Sequence, residues 1–379
     1  MKRTLLALPL LVLWLTAAIA ADCICPPLIS NVNAEALTVS VLMDKEDANL
    51  TLTYGSGKSA KPTKIEKTDT QQMKLQVAIH KFRITGLKAG EVVPYEVAGF
   101  KSEFRAAPGN VNEEVLFMFG GDYNMPTDAG VKALEEKYKK KVDFFMDLGD
   151  HLIGRRIWGK TVEWLGRVPV VIGRGNHDND EKYTKDQQQL QKHLDFPNHP
   201  NMDFTHEWGP VMVRAEDVPG YSKPYPQADL DVIDKAFAGT KCPWKFYICH
   251  HVFFSDGPHG FQEFEAGGGK KAFEGVLRRE GVWPVFQKHN VKLVFNGHDH
   301  MYQRSHAVDG SGKQAANGVV NVTFGGVGKD FKGKSPWSAF QYLGGTATLG
   351  YAHVKGDTTT VQLLEPTGKA ADEVVVKLK

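Results

Sequence analysis

Four cysteines among 379 residues are too few to staple a fold together. Stability must therefore come from a buried apolar core, which a chain of this length can form. Cys23, Cys25, Cys242 and Cys249 make an even set, which permits disulfides in an exported chain. Cys242 and Cys249 cannot pair if both lie on one straight strand, because the distance would be about 23 Å. Pairing of an N-terminal cysteine with Cys242 and four free thiols are equal alternatives. Charge of one sign is also lacking: 46 Lys and Arg face 44 Asp and Glu, a net charge of +2. That balance argues against a nucleic-acid binder working through a broad basic surface, though not against a local patch. The chain has no internal repeat and no long low-complexity tract. Beyond the N-terminus, no stretch is long and apolar enough to span a membrane.

The N-terminus reads as a targeting segment. Lys2 and Arg3 precede an apolar run from Leu5 to Ala20, and Ala18-Ile19-Ala20 forms a small-residue cleavage site. The run is short for a spanning helix, which makes an uncleaved anchor the lesser alternative. Asp22 stands before Cys23, where bacterial lipidation would need a small residue. Residues 1–20 are expected to be a signal peptide. The mature chain is then periplasmic or extracellular (secreted), with no stable membrane anchor.

Residues 28–107 read as a separate all-β unit. Leu37-Thr38-Val39-Ser40-Val41 and Leu50-Thr51-Leu52-Thr53-Tyr54 alternate, and Gly55-Ser56-Gly57 punctuates them. His80 to Leu87, a turn at Lys88-Ala89-Gly90, and Tyr95-Glu96-Val97 follow. Short strands at this spacing predict a sandwich. Leu87, Gly90 and Tyr95 together resemble the tyrosine corner of fibronectin type III domains. Ala107-Pro108-Gly109 reads as the linker.

From Val115 the pattern changes to α/β. Val115 to Phe119 is a buried-type strand ending in Gly120-Gly121-Asp122. A helix is predicted from Asp128 to Lys141, with Asp128 as its cap and lysines at its C-terminal end. Val142 to Met146 leads to Asp147-Leu148-Gly149-Asp150, and Val168 to Ile172 leads to Gly173-Arg174-Gly175-Asn176-His177-Asp178. Trp244 to Cys249 leads to His250-His251, and Val291 to Phe295 leads to Asn296-Gly297-His298-Asp299-His300. Ligands bind outside the carboxyl ends of strands in such sheets, which is where these polar residues fall.

Asp122, Asp150, Asn176, His250, His298 and His300 form a mixed oxygen and nitrogen donor set. That mixture suits iron, zinc or manganese better than copper or an all-oxygen calcium site. A carboxylate has two oxygens, so Asp150 could bridge two ions. Two ions about 3.5–4 Å apart would acidify water and clamp a phosphoryl group during in-line displacement. Singly, each residue has a bland reading: a turn aspartate, a polar loop, a core histidine. Recurrence at five strand ends makes coincidence remote.

Gly121-Asp122, Gly149-Asp150, Gly175-Asn176-His177-Asp178, His250 and Gly297-His298-Asp299-His300 resemble, in order, the five motif blocks of calcineurin-like metallophosphoesterases. Met301-Tyr302-Gln303-Arg304 is similar to the purple acid phosphatase branch, as are the front unit and the closing Leu349-Gly350-Tyr351-Ala352-His353-Val354. The resemblance implies a two-sheet core flanked by helices over residues 112–379, behind the all-β fibronectin type III-like sandwich. It implies two metal ions, iron with zinc or manganese. One would take Asp122, Asp150 and His300; the other would take Asp150, Asn176, His250 and His298. His177 matches the family histidine that contacts the phosphate or leaving group. His259, nine positions after His250, resembles the second substrate-site histidine of the small acid phosphatases. The implied reaction is attack of metal-bound hydroxide on a phosphate monoester, without a covalent enzyme intermediate. Phosphodiester hydrolysis is the rival on the same site, and a metal-stabilised binding module without turnover is the rival of another class.

The chain departs from the purple branch at Ile153, where a coloured enzyme has a tyrosine, so a colourless protein is expected. Asn124 stands where the non-purple branches place a histidine, and Tyr123 and His151 are nearby in sequence. Arg174, His251, Tyr302 and Arg304 could touch substrate, but each reads better as a support beside the site. Gly267-Gly268-Gly269-Lys270-Lys271 lacks P-loop spacing and reads as a loop near the mouth. Asn49-Leu50-Thr51 and Asn321-Val322-Thr323 are glycosylation sequons, meaningful only in a source that glycosylates. Specificity is expected in the loops 182–203 and 256–273, which carry no readable code.

Overall fold

The computed structural model describes residues 23, 25–70, 75–122, 124–150, 162–178, 192–198, 202–217, 225–259, 274–326, 331, 333–343 and 349–378. The alternating stretches near the N-terminus form β1 (Leu28–Ser30), β2 (Ala36–Met43), β3 (Leu52–Tyr54), β4 (Lys58–Ala60), β5 (Lys64–Thr70), β6 (Leu75–Thr85), β7 (Val92–Val97) and β8 (Phe100–Arg105). They assemble into two antiparallel sheets, ordered β1-β2-β6-β5 and β4-β3-β7-β8. In β7 the pleat sends Val93, Tyr95 and Val97 inward and Val92 and Glu96 outward.

Tyr95 does not form the expected corner. Its hydroxyl donates to the Gly166 carbonyl at 2.5 Å, 71 residues away, whereas a tyrosine corner bonds backbone a few residues upstream. The partner is the 3-10 turn Glu163–Gly166, whose last glycine lies hard against the Phe100 ring. Tyr95 therefore docks the front unit onto the rest of the chain. A second seam lies at Asp195, whose Oδ2 accepts from Asn31 Nδ2 at 2.9 Å and Thr38 Oγ1 at 2.7 Å. Beside it the buried Lys81 ammonium donates to the Leu194 carbonyl at 2.8 Å.

The remaining chain contributes β9 (Val115–Gly120), α1 (Asp128–Tyr138), β10 (Phe144–Asp147), β11 (Val170–Ile172), β12 (Phe204–Trp208), β13 (Val211–Ala215) and α2 (Gln227–Gly239). Then come β14 (Trp244–Ile248), α3 (Glu274–Lys288), β15 (Leu293–Asn296), β16 (Tyr302–Val308), β17 (Val319–Phe324), β18 (Ser338–Tyr342), β19 (Leu349–Lys355), β20 (Thr358–Leu364) and β21 (Ala370–Lys377). A six-stranded sheet runs β11-β10-β9-β19-β20-β21, and a seven-stranded sheet runs β12-β13-β14-β15-β17-β16-β18. β9, β10 and β11 are parallel, as are β13, β14, β15 and β17.

Strand periodicity explains why two sheets pack here. In β14 and β15, Phe246, Ile248, Leu293 and Phe295 join the core shared with the six-stranded sheet, while Tyr247 and Val294 join a second cluster with Ile233 and Phe237 of α2 and Trp283 and Phe286 of α3. Phe119 meets Phe295 at 4.9 Å between ring centres and Phe117 meets Phe246 at 5.7 Å, which closes the two sheets face to face. Each such buried ring contributes about 1.5–3 kcal/mol. The closing segment read from the sequence is β19, which pairs antiparallel with β9 in the middle of its sheet.

Helix α1 is shorter than expected and differently capped. Thr127 Oγ1 accepts from the Gly130 amide, and Lys139 ends the helix in a left-handed conformation. The Asp128 carboxylate instead accepts from the Trp164 amide at 3.1 Å. Cys23, Cys25, Cys242 and Cys249 are thiols, not joined by disulfides. Asn321 is buried in β17 with its Nδ2 donating to the Phe254 carbonyl, so that sequon is inaccessible in the folded chain; Asn49 is exposed.

Candidate metal centre

The five blocks sit where parallel strands end. β9 runs into Gly121-Asp122, β10 into Gly149-Asp150, β11 into Gly173 to His177, β14 into His250 and β15 into Gly297-His298. The first three belong to one sheet and the last two to the other, so the pairing of the sheets brings the blocks together.

Turning sharply at a strand end requires unusual backbone. Asp122, Asp150 and His298 have φ of 59°, 58° and 69°, in the left-handed region. A side-chain-bearing residue there costs about 1 kcal/mol or more, and such strain gathers at functional sites. Gly149 has φ 91°, and a Cβ on it would lie 2.6 Å from the Gly173 carbonyl oxygen and 2.7 Å from His250 Nδ1. Only glycine lets the second block approach the third and fourth.

The predicted ligands converge. One oxygen or nitrogen donor from each of Asp150, His250 and His298 lies within 4.8 Å of the others. His250 Nε2 is 3.2 Å from Asp150 Oδ2 and 3.1 Å from Asn176 Oδ1. His250 Nδ1 donates to the Leu148 carbonyl at 2.8 Å, which leaves Nε2 as the atom facing the donors. Asp122 and His300 form the other part: His300 Nε2 is 3.2 Å from Asp122 Oδ1. Asp122 Oδ2 accepts from the His298 amide at 2.9 Å, linking the two parts. Asp122, Asp150, His250 and His298 are buried, whereas Asn176 and His300 are partly accessible.

Protonation follows from this packing. Burial by itself would lower the His250 pKa, but the Asp150 carboxylate beside it, with Asp122 behind, raises it to about 10. The same contact, against the opposing effect of burial, holds Asp150 below the usual carboxylate range. A proton so held between an imidazole and a carboxylate occupies a place that a cation fits, since ligands must deprotonate to bind metal. The donor set of carboxylate, amide oxygen and imidazole fits divalent or trivalent first-row ions.

His177 lies at the rim, its side chain 45% exposed and its Nε2 4.0 Å from Asp150 Oδ2. Its amide donates to Asp150 Oδ1 at 2.8 Å. The His259 ring lies 4.0 Å from that of His298, centre to centre. His251 is buried with its ring 4.8 Å from His298. Arg174 pairs with Asp217, and Arg304 and Tyr302 both bond Asp372 of β21, so these three tie neighbouring segments together. Asn124 is buried, and its amide closes a turn onto the Gly121 carbonyl at 3.0 Å. Tyr123, His151, Ile153, the run 267–271 and most of the loops 182–203 and 256–273 lie outside the described residues.

Two carboxylates matter more than their sequence positions suggested. Asp178 Oδ2 accepts from the amides of Asp150 and Gly175 at 2.9 and 2.8 Å, clipping the second block to the third. Burial, then the negative Asp150 and Asp147, push its carboxyl up to about 7. Asp299 lies fully buried between two predicted ligand histidines. An aspartate inside or next to each histidine block was the available signal, but the partners are amides and hydroxyls that no motif records.

A family model described as Calcineurin-like phosphoesterase matches residues 100–302, a span containing all five blocks. The chain is 26% identical over 247 residues to Purple acid phosphatase 21 of Arabidopsis thaliana, covering 60% of this chain and 53% of that protein. It is 24% identical over 291 residues to Purple acid phosphatase 18 of the same plant, covering 69% of this chain and 62% of that one. The chain thus spans little more than half the length of the curated relatives it matches. The fold is similar to that of purple acid phosphatase PPD1 from yellow lupin (Lupinus luteus) seeds, with a TM-score of 0.77 at 16% identity over 93% of this chain and 74% of that one. The family match covers more than half of the sequence and falls on the strand-end blocks that build the centre; the chain belongs to the calcineurin-like phosphoesterase family.

Proposed function

We propose that the protein is an exported, binuclear metal-dependent phosphatase acting on phosphate monoesters. The observation that carries this reading is the meeting of Asp150, Asn176, His250 and His298 at strand ends from two sheets, beside a half-exposed His177. Asp150, Asn176, His250 and His298 would hold one ion, and Asp122, Asp150 and His300 the other, with iron, zinc or manganese as the fitting metals. Bound ions there would lower the pKa of water and neutralise phosphoryl charge. The chain's own residues do the rest. Leu148 fixes the His250 tautomer, so its Nε2 faces the donors. His177, held at the rim by the hydrogen bond its backbone amide donates to Asp150, can donate a proton to a phosphoryl or leaving-group oxygen. His259, its ring 4.0 Å from that of His298, would do the same. The buried ligands keep the cation side of the site dry, which strengthens each of these contacts.

The front sheet β1-β2-β6-β5 follows the A-B-E-D order of an immunoglobulin-type sandwich, and β3-β7-β8 follows its C-F-G order with β4 added at the edge. That supports residues 28–107 as a fibronectin type III-like domain and 112–379 as the catalytic one. Residues 1–20 complete this division as a signal peptide.

The test is hydrolysis of an aryl phosphate monoester and its diester counterpart after metal removal and restoration of iron, zinc or manganese, with His298→Ala as control. Metal-dependent turnover in the wild type, faster on the monoester, is expected. Faster diester turnover would reassign the substrate class. Inert protein carrying two ions per chain would overturn the enzyme and leave a metal-stabilised binding module.

A further inference from the structure

We infer that Asp299 is a positioning residue for His259, fastening the turn that carries this histidine directly to the metal-ligand block. The inference rests on the reading of His259 as a proton donor to the phosphoryl group.

Asp299 lies between His298 and His300, and both of its carboxylate oxygens point at the Ser255–His259 turn. Oδ2 accepts from Ser255 Oγ at 2.5 Å, and Oδ1 accepts from the His259 amide at 3.1 Å. Ser255 Oγ in turn accepts from the Gly257 amide at 2.9 Å. The turn is seated so closely that a Cβ on Gly257 would come within 2.5 Å of Asp299 Cγ. A glycine is needed there because the carboxylate occupies the space a side chain would take. The opposite edge of the turn is held by another buried carboxylate. Asp256 accepts from Gln303 Nε2 at 2.6 Å, Gln341 Nε2 at 2.7 Å and the Ser335 amide at 3.1 Å, and its own amide donates to Gln303 Oε1 at 2.8 Å. The turn is therefore fixed from both sides, by Asp299 next to the ligands and by strands β16 and β18.

The physical consequence is geometric. His259 lies on a turn without regular secondary structure, which by itself would let the ring wander. The two bonds to Asp299, from the Ser255 hydroxyl and the His259 amide, pin the backbone from which the ring projects. A displacement of about 1 Å in a reacting group can cost on the order of 100-fold in rate. The same chain segment that bears two proposed ligands thus also sets the distance from those ligands to the proposed proton donor.

A double-mutant cycle on the manganese-loaded protein tests this. His259→Ala, Asp299→Ala and the double variant are compared with wild type for kcat and KM on an aryl phosphate monoester, and for bound metal by elemental analysis. The expected result is a loss of about 100-fold in kcat for each single variant, no further loss in the double variant, and wild-type metal content throughout. Asp299→Asn, which keeps an acceptor for the His259 amide, should recover most of the loss, and Ser255→Ala should cost roughly tenfold or less. These two milder variants carry the test if Asp299→Ala does not fold. Multiplying losses in the double variant, or metal lost together with activity in Asp299→Asn, would overturn the positioning role. If the wild type itself shows no turnover, the monoesterase reading fails. The same cycle is then read from inorganic phosphate affinity by calorimetry, where equal weakening in the single and double variants supports the inference and independent weakening overturns it.

Discussion

The His250 ring carries its Nδ1 proton against the Leu148 carbonyl and presents Nε2 to Asp150 and Asn176. Its partners are in turn fixed by groups outside the proposed ligand set. Asp178 is the plainest case, because its carboxylate accepts from the amides on either side of the gap between two blocks. Asp178→Asn removes the charge from that clip. Metal affinity is expected to weaken about 10–100-fold with the fold intact, as for other groups that orient ligands; metal-exchange titration followed by circular dichroism would check both halves. At Gly149 the constraint is steric. Gly149→Ala places a methyl into the space between the Gly173 carbonyl and His250 and demands a positive φ. A destabilisation of about 3 kcal/mol, with loss of metal, is expected from the two effects together. Unchanged metal content in this variant would show that the blocks can separate without harm to the centre.

Among the elements, the front sheets share an apolar core with the rest and are also joined to it by polar contacts that can be removed singly. Tyr95→Phe deletes the hydroxyl bonded to Gly166 and should cost about 1 kcal/mol. Asp195→Ala removes the acceptor shared by Asn31 and Thr38 and should cost about 2–3 kcal/mol. Both are read as shifts in the urea midpoint at constant slope. These contacts also mark the limit of what the sequence discloses. Strand, glycine turn and ligand are adjacent in the chain, so Asp122, Asp150, Asn176, His250, His298 and His300 were legible as blocks, and strand ends converge in any parallel sheet. Tyr95 was misread because its partner lies 71 residues away. Thr127 and Asp128 are both good caps; Thr127 caps the helix, while Asp128 accepts from the Trp164 amide, 36 residues away. The Asn321 sequon lies in the β-sheet interior, and periodicity cannot tell which side of β17 is covered by the Phe254 segment.

Across the whole molecule, acid is expected to act on the seam between the front sheets and the α/β half. Burial pushes His206 down to about 4 and, with the positive Lys81 and Lys192 adding to it, His193 down to about 3. His206 bonds the Val32 backbone, and its Nε2 is among the described buried atoms with no partner. Both groups are neutral in the folded chain and ionise more readily in the unfolded one, near pH 6.5. Their contribution to stability is complete above pH 6.5 and is lost as the pH falls towards 4 and 3. The melting temperature should fall steeply in that window, and His206→Gln should flatten the slope; an unchanged slope would place the acid sensitivity elsewhere. Metal should act in the opposite direction, since a ligand bound only by the folded state stabilises it, by about 2.7 kcal/mol at 100 times its dissociation constant. A chelator should therefore lower the melting temperature of loaded protein.

The centre is assembled from distant parts of the chain. The His298 amide bonds an aspartate 176 residues earlier, and Asp150, His250 and His298 come from three separate strand ends. A polypeptide emerging vectorially, from a ribosome or through a secretion channel, exposes the early carboxylates long before the late imidazoles exist beside them. No cation can find a complete set of donors until β15 has docked against β14 and the two sheets have closed. Metal capture would then be the final event of maturation, and the ions acquired would be those of the compartment in which folding ends.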